Sequence, residues 1–419
     1  MNKNPINILI VTESVDVNDS SASKGRVALI KNLHYAGFVL KVYHYTRKQI
    51  ELPDIECVSI KEQKGTLWYG LSKLQLLLKR LTNWNINNQI EKLWGFSFAH
   101  FNDTFSIKKA LEKEDPMQYD WILTLSKAAS FRPHKALLGI PKWHKKWLAY
   151  VHDPYPMHSY PRPYDWVEPG HQMKRDFFLQ VADKCRYAVY PSQLLGEWME
   201  SYYQHLKGKA VVIPHQINGE IKGEEGLPPY FKEKTFTILH AGSLLWGRDP
   251  NGLIMGFQQF LNSNPDAKHE AQLVFLGSKN HYSQVLKMYA EKINQLYISE
   301  DYVPFEQVYQ MQLKAAVNVI LEAKGPVSPF LPGKFPHCVA ADKPILLLCP
   351  QISESKRLLG NTYRYAAEID DEEQISELIT ELYTQWKLSP DKLLLNKPDL
   401  KDYLSENYLF KTIQKLSPI

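Results

Sequence analysis

The stretch from Ile238 to Gly256 reads ILHAGSLLWGRDPNGLIMG. An apolar run, Phe236 to Ala241, ends in Gly242-Ser243, a short loop carries Arg248, and an apolar-periodic helix follows. A second stretch, Ser328 to Leu348, reads SPFLPGKFPHCVAADKPILLL. It is a Pro- and Gly-rich loop with Lys334 at its end, then a short helix and a buried strand. Both place a backbone turn and a fixed cation at the carboxyl end of a strand, where open α/β sheets bind phosphorylated ligands. The two cations stand about 90 residues apart in sequence and are suited to clamp one diphosphate between them.

Working outward, the same strand-turn-helix rhythm occurs twice. Ile6 to Thr12 is a continuous apolar run, as expected of a strand buried on both faces. A polar loop from Glu13 to Gly25, a helix from Val27 and a second strand at Val39–Tyr45 complete a βαβ unit. Trp121–Leu125, Trp147–Val151, Tyr187–Tyr190 and Val211–Ile213 read as further strands. In the second half, strands are expected at Phe236–His240, Gln272–Leu276, Val317–Leu321 and Pro344–Leu348. Helices are expected at Pro250–Leu261, Tyr282–Leu296, Glu372–Trp386 and Asp402–Leu416. The expected division is a first α/β domain over 1–214, a Pro- and Gly-rich linker over 215–234, a second over 235–395, and a closing helical segment over 396–419, packing back on the first domain.

Composition excludes several classes. The chain has 419 residues, 44% apolar and 23% charged, which is globular and too long for one ordinary domain. The net charge of +5 comes from 50 basic and 45 acidic residues, too diffuse for a nucleic-acid footprint. Cys57, Cys185, Cys338 and Cys349 show no paired or zinc-type spacing, so reduced thiols are expected. The apolar run near the amino terminus is too short for a signal peptide, and no run nears the ~18 apolar residues of a membrane span. A cytoplasmic protein is the expectation, with contact at the inner face of a membrane left open.

These motifs resemble the GT-B glycosyltransferases, and among them the retaining family four. The resemblance covers nearly the whole chain and is strongest from Phe236 to Leu348. It implies two Rossmann-like domains facing a central cleft, an α/β fold. It implies that Gly242 and Ser243 form the turn under the donor and that Arg248 and Lys334 are catalytic cations. These cations replace a metal, so the resemblance implies no metal and no cofactor beyond the nucleotide-sugar substrate. Val303 and Pro304, in Tyr302-Val303-Pro304-Phe305, resemble the turn that borders the base. Ser328, Phe330 and Leu331 fall where the family's loop meets the donor. His337 departs from the pattern, because the family carries a ribose-binding glutamate there. A neutral imidazole accepts one hydrogen bond where a carboxylate accepts several. In the first half, His152-Asp153 resembles the strand-end pair beside the donor sugar, and both are candidate catalytic residues. Ser23, Lys24 and Gly25 resemble the acceptor-side loop.

The chemistry follows from charge. Breaking a sugar–phosphate bond leaves a diphosphate of growing negative charge, which positioned cations stabilise. The implied partners are a nucleotide-sugar donor and a glycan or lipid-linked acceptor in surface polysaccharide or glycoconjugate assembly. Two other readings stay open: an epimerase or phosphorylase on the same fold, or a degenerate binding subunit, motivated by the missing glutamates. Each candidate also has a plainer explanation, such as a solvated loop lysine for Lys334 or a structural strand-end histidine for His152.

Two further stretches bear on a membrane. Leu67, Trp68, Leu71, Leu74, Leu77, Leu78 and Leu81 share one helix face, with Lys73, Lys79 and Arg80 nearby and Trp84 at its end. The favoured expectation is a core-facing helix, and the second is a helix lying in a bilayer interface. The run Lys142-Trp143-His144-Lys145-Lys146-Trp147 is basic and aromatic, with a solvated turn preferred over headgroup contact.

Overall fold

The computed structural model of the chain describes residues 5–19, 21–217, 226–277 and 281–417. Contacts divide it into two compact units. One comprises Met1–Tyr160, Asp165–Gln216 and Ser405–Ile419, and the other Pro161–Tyr164 and Ile217–Leu404.

Among the described residues, the first unit holds seven strands. These are β1 (Asn7–Thr12), β2 (Val39–His44), β3 (Glu56–Ser59), β4 (Trp121–Leu125), β5 (Trp147–Tyr150), β6 (Tyr187–Tyr190) and β7 (Ala210–Val212). They form one sheet in the order β3-β2-β1-β4-β5-β6-β7. Every pairing in it is parallel. Alternate residues of β1 enter different clusters: Ile8 and Ile10 one, Leu9 and Val11 the other. Burial on both faces is what turns these strands into continuous apolar runs.

Helices α1 (Ser21–Tyr35), α2 (Leu67–Thr82), α3 (Asn87–Trp94), α4 (Phe98–Leu111), α5 (Arg132–Leu138), α6 (His171–Lys184) and α7 (Gln193–Tyr202) accompany this sheet. The second unit has the sheet strands β8 (Phe236–Ala241), β9 (Ala271–Leu276), β10 (Leu296–Ile298), β11 (Val317–Leu321), β13 (Ile345–Leu348) and β15 (Ala366–Ala367). Their order is β10-β9-β8-β11-β13-β15. A separate pair, β12 (Val327–Ser328) and β14 (Ile352–Ser353), aligns Ser328 with Ser353. Its helices are α8 (Asn251–Ser263), α9 (Ala267–Glu270), α10 (Ser283–Ala290), α11 (Phe305–Lys314), α12 (Phe335–Ala340), α13 (Glu354–Leu359), α14 (Glu372–Leu388) and α15 (Pro398–Tyr403). A last helix, α16 (Glu406–Gln414), belongs to the first unit, where Leu409 and Ile413 join the cluster of Ile8, Ile10 and Ile30.

Several expectations change. The segment Glu13 to Gly25 is not all loop, because α1 begins at Ser21 and carries Ser23, Lys24 and Gly25 in its first turns. A helix-weakening glycine and an absence of apolar periodicity hid that start. Instead of one closing helix at Asp402–Leu416, two short helices flank Leu404 and Ser405, whose side chain caps α16 by accepting from Asn407 N at 3.3 Å. Of the expected linker, residues 218–225, including Gly219 and Gly223, lie outside the described residues. Its far end is packed: Phe231 is buried, and Tyr230 stacks on Tyr297 with ring centroids 3.9 Å apart.

The basic aromatic run at 142–147 is tied down. Trp143 and Trp147 are buried, Lys142 donates to Glu112 and Glu114 carbonyls, and Lys146 donates to those of Pro116 and Tyr119. The α2 face behaves in the opposite way. Among the described residues of α2, only Ser72 is fully buried. The core-facing reading of that helix is therefore corrected.

Two glycines test the packing. A Cβ on Gly252 of α8 would lie 2.1 Å from the Ile369 carbonyl oxygen, a backbone atom that no rotamer change can move aside. Gly25, inside α1, has nothing within 4 Å of the same position. Gly252→Ala is expected to cost roughly 1–3 kcal/mol or more through overpacking, whereas Gly25→Ala stabilises by about 0.5–1 kcal/mol. Thermal unfolding of both variants checks this; a neutral Gly252→Ala would contradict the close α8 approach.

Candidate functional site

Each sheet reverses its strand order once, between β1 and β4 in the first unit and between β8 and β11 in the second. Crevices at the carboxyl ends of strands at such points are where open α/β sheets hold ligands. The two differ in charge state. In the first unit, a pocket is lined by Glu13, Asp16, Asp19, Arg47, Lys48, Asp103, Lys127 and Arg132. Its cations are neutralised internally. Lys48 meets Asp16 at 2.8 Å, Lys127 meets Asp19 at 2.6 Å, and Arg47 meets Asp103 at 2.8 Å. Arg132 reaches both Glu13 at 3.0 Å and Asp103 at 2.9 Å.

In the second unit the cations of the crevice, Arg248 and Lys334, form no ion pair among the described residues. The apolar β8 ends at Ala241, and Gly242 follows with φ +133°, a conformation open to glycine and strained for side-chain-bearing residues. Lys334 lies across this turn: a Cβ on Gly242 would be 3.6 Å from its Nζ. The backbone of Gly277 closes the other side, where a Cβ would come within 2.9 Å of the Gly242 carbonyl oxygen. Lys334 Nζ sits 2.8 Å from His240 Nε2. Accepting at Nε2 puts the imidazole proton on Nδ1, and that buried atom has no hydrogen-bond partner. Burial, then Lys334 and Arg248, hold the His240 pKa well below its ordinary value. Burial lowers Lys334 to about 7, with Arg248 adding to the effect against an opposing contribution from Cys338.

Arg248 comes from the turn after β8. Its backbone N–H donates to the Leu245 carbonyl at 3.0 Å, and Asp249 then accepts from Asn251 N at 2.9 Å as α8 begins. Its Nε is buried without a partner. Among the described residues, neither Arg248 nor Lys334 forms an ion pair. Arg248 lines a pocket with Glu322, Ser328, Phe330, Pro332 and Tyr164 of the unit's own 161–164 segment.

Glu322, directly after β11, was not singled out in the sequence. It is buried, with Oε1 accepting from Ser355 Oγ at 2.6 Å and Oε2 making no hydrogen bond. Burial raises its pKa, while nearby serines and Arg248 oppose that rise. Only its place at a strand end marked it, and the motif gave no weight to an acid there. His240 was equally missed, because a histidine inside an apolar strand reads as core.

The other sequence candidates lie as follows. Ser243 is exposed beside Gly242. Leu331 is buried with Phe335 and Val339, in the core rather than on the pocket wall. His337 packs against α11, its ring 4.8 Å from Phe305 and 5.9 Å from Tyr309. Val303 joins the apolar cluster of Phe231 and Leu239, and Pro304 is the exposed residue that starts α11. In the first unit, His152 follows β5, its ring 4.4 Å from that of Tyr150 and its Nε2 buried without a partner. Burial, then His215 and Arg26, keep it neutral. Asp153 is half-buried beside it. Ser23 accepts from Arg26 at 2.8 Å, and buried Arg26 also reaches the carbonyls of Ser14 and Ser126. Lys24 and Gly25 lie on the next positions of α1.

No protein-family model matches the chain. No curated protein sequence matches it either. Solved structures do. A trehalose-6-phosphate synthase, OtsA, aligns with a TM-score of 0.65 at 13% identity, covering 99% of this chain and 100% of that one. A trehalose-6-phosphate structure from E. coli bound with UDP-2-fluoro glucose gives 0.62 at 12% identity, covering 99% and 100%. A UDP-forming α,α-trehalose-phosphate synthase from Burkholderia xenovorans, in complex with glucose-6-phosphate, gives 0.60 at 10% identity, covering 97% and 100%. The chain has their fold. This is the α/β, GT-B architecture of two Rossmann-like units expected from the sequence, and at such identities the likeness speaks to the fold alone.

The buried histidines set an acid limit on this fold. Burial lowers His134 to about 3 and His215 to about 4. As pH falls below about 6.5, the unfolded chain takes up these protons first, so unfolding binds protons and stability drops. The loss grows by up to about 1.4 kcal/mol per histidine for each pH unit down to the folded values. The thermal midpoint should fall steadily from pH 6.5 to pH 4.5; a flat or rising midpoint would contradict neutral burial.

Proposed function

We propose that this chain is a nucleotide-sugar-dependent glycosyltransferase whose second unit holds the donor diphosphate between Arg248 and Lys334. One observation carries the reading. Two cations and a buried imidazole converge at the switch point of the second sheet, and among the described residues neither cation forms an ion pair, while those of the first unit's pocket are internally neutralised. Burying like charges together is costly unless an anion completes the set. A diphosphate supplies that anion and accepts from both Arg248 and Lys334.

The chemistry follows from this placement. As the sugar–phosphate bond breaks, negative charge grows on the diphosphate, and both cations are already in place to stabilise it. No metal is required for that step in this reading. Glu322, which lines the same pocket and whose Oε2 makes no hydrogen bond, is suited to accept from a donor hydroxyl. Retention of configuration is part of the proposal and rests on the resemblance to retaining enzymes. So do the glycan or lipid-linked acceptor, the role in surface polysaccharide or glycoconjugate assembly, and a cytoplasmic site of action. UDP-sugars are the first donors to test, because solved structures of this fold hold a UDP-sugar analogue and are described as UDP-forming.

The packing of His337 against Phe305 favours a second reading, a binding subunit with weakened donor contacts. Normal nucleoside-diphosphate affinity without donor turnover would select it.

Arg248→Ala and Lys334→Ala should each weaken UDP binding by about 10- to 100-fold, the worth of a charge-assisted hydrogen bond. Unchanged affinity in both would remove the clamp. A sharper signature comes from Lys334, held near 7 without ligand. A bound diphosphate raises that value, so binding above pH 7 takes up a proton and affinity falls up to about tenfold per pH unit. Calorimetry in buffers of different ionisation enthalpy reads the proton directly. Lys334→Arg should bind without it, since arginine stays charged. Equal proton uptake in wild type and Lys334→Arg would refute the assignment.

A further inference from the structure

We infer that α2 and the turn after it form a surface that binds anionic lipid bilayers. This goes beyond the donor site and does not depend on it. Helix α2 is fastened by one face only. Thr66 caps it by accepting from Tyr69 N at 3.0 Å, Trp68 stacks on Phe101 of α4 at 4.8 Å, and Gln75 donates to Asn87 at 2.6 Å. Trp68, Ser72 and Gln75 follow the helical spacing of that inner face.

About a quarter-turn away runs a second stripe, Leu67, Leu71, Leu74, Leu78 and Leu81, with Leu77 beside it. Apart from Leu71, which is half-buried, it is turned to water. Leu67 is 73% exposed, Leu81 74%, and Trp84 in the following turn 65%. Leu93 on neighbouring α3 is 76% exposed and Trp94 is half exposed. A contiguous apolar patch of this kind on a folded chain marks an interaction surface.

Charge selects the occupant. Between Gln63 and Ile90 the sequence contains Lys64, Lys73, Lys79 and Arg80 and no acidic residue. Lys73, Lys79 and Arg80 are exposed on α2 itself. A second copy of this chain would bring like charges together, which opposes self-association through this face. A bilayer with anionic headgroups satisfies both parts: leucines enter the acyl boundary, the cations meet phosphate, and Trp84 sits at the interface. No helix among the described residues is long and apolar enough to cross a membrane, so the contact is peripheral.

The test is co-sedimentation of the full chain with vesicles of phosphatidylcholine alone or with 30% phosphatidylglycerol. Binding is expected with the anionic vesicles, at least tenfold weaker with the neutral ones, and reduced by added salt. Leu78→Glu/Leu81→Glu should abolish it with an unchanged thermal midpoint, since neither side chain is buried. Lys79→Glu/Arg80→Glu should weaken it while keeping the fold. Quenching of tryptophan fluorescence by brominated lipid should drop in Trp84→Phe. Absence of binding to anionic vesicles at low salt would overturn the inference, as would undiminished binding by the leucine double variant. Reversible dimerisation abolished by Leu78→Glu/Leu81→Glu, without vesicle binding, would instead assign the face to a second copy.

Discussion

An ammonium group 2.8 Å from an imidazole, with an unpaired guanidinium nearby, is an arrangement that a fold does not keep for its own stability. Lys334 responds by giving up much of its charge, as burial and Arg248 push its pKa down to about 7. Everything around it serves to hold it there. Gly242 leaves room because it has no Cβ and takes a φ of +133°, Gly277 lets the neighbouring backbone close in, and Phe335 anchors the start of α12 in the core. The energy missing from this cluster is an anion's to supply. That makes the site selective for charge before any contact to a base or a sugar is considered.

Much of the fold was legible because parallel strands buried on both faces leave a strong signal. Ile8 to Val11 and Ile345 to Leu348 are continuous apolar runs, Phe236 to Ala241 is apolar but for Thr237 and His240, and each is a strand. The edges were not legible. β3 and β10 are short and half-buried, so they lack that signal, and only the first residue of β10, Leu296, falls within the helix expected over Tyr282–Leu296. The start of α1 was missed because its first residues pack through Arg26 and Ser23, a polar arrangement with no hydrophobic period.

The site was legible in its turns and not in its buried polar residues. Gly242, Arg248 and Lys334 announce themselves by chain geometry and by charge near a loop. His240 and Glu322 sit within or just after apolar strands, where sequence alone gives no means to tell a functional group from a satisfied core residue. Only the fold brings His240 to face Lys334 and Glu322 to meet Ser355 of α13. The comparison between units sharpens the point. Both sheets place charged residues of both signs near a switch point, so charge content could not choose between them. Pairing does, because ion pairs cancel the field that an incoming phosphate would feel.

The same limit explains α2. An amphipathic period states that a helix has an apolar face, and it is silent on what covers that face. Here the face that packs is carried by Trp68 and Ser72, while the leucines that dominate the period look outward. A stripe of leucines is an expensive thing to leave in water, at roughly 25 cal/mol for each Å² of apolar surface. A helix that needed only to finish the first unit's core would have turned that stripe inward, and the ring stack on Phe98 and Phe101 holds it in the other rotation. The cations beside the leucines then point to a covering layer that is both apolar and negatively charged, which the described residues of this chain do not provide.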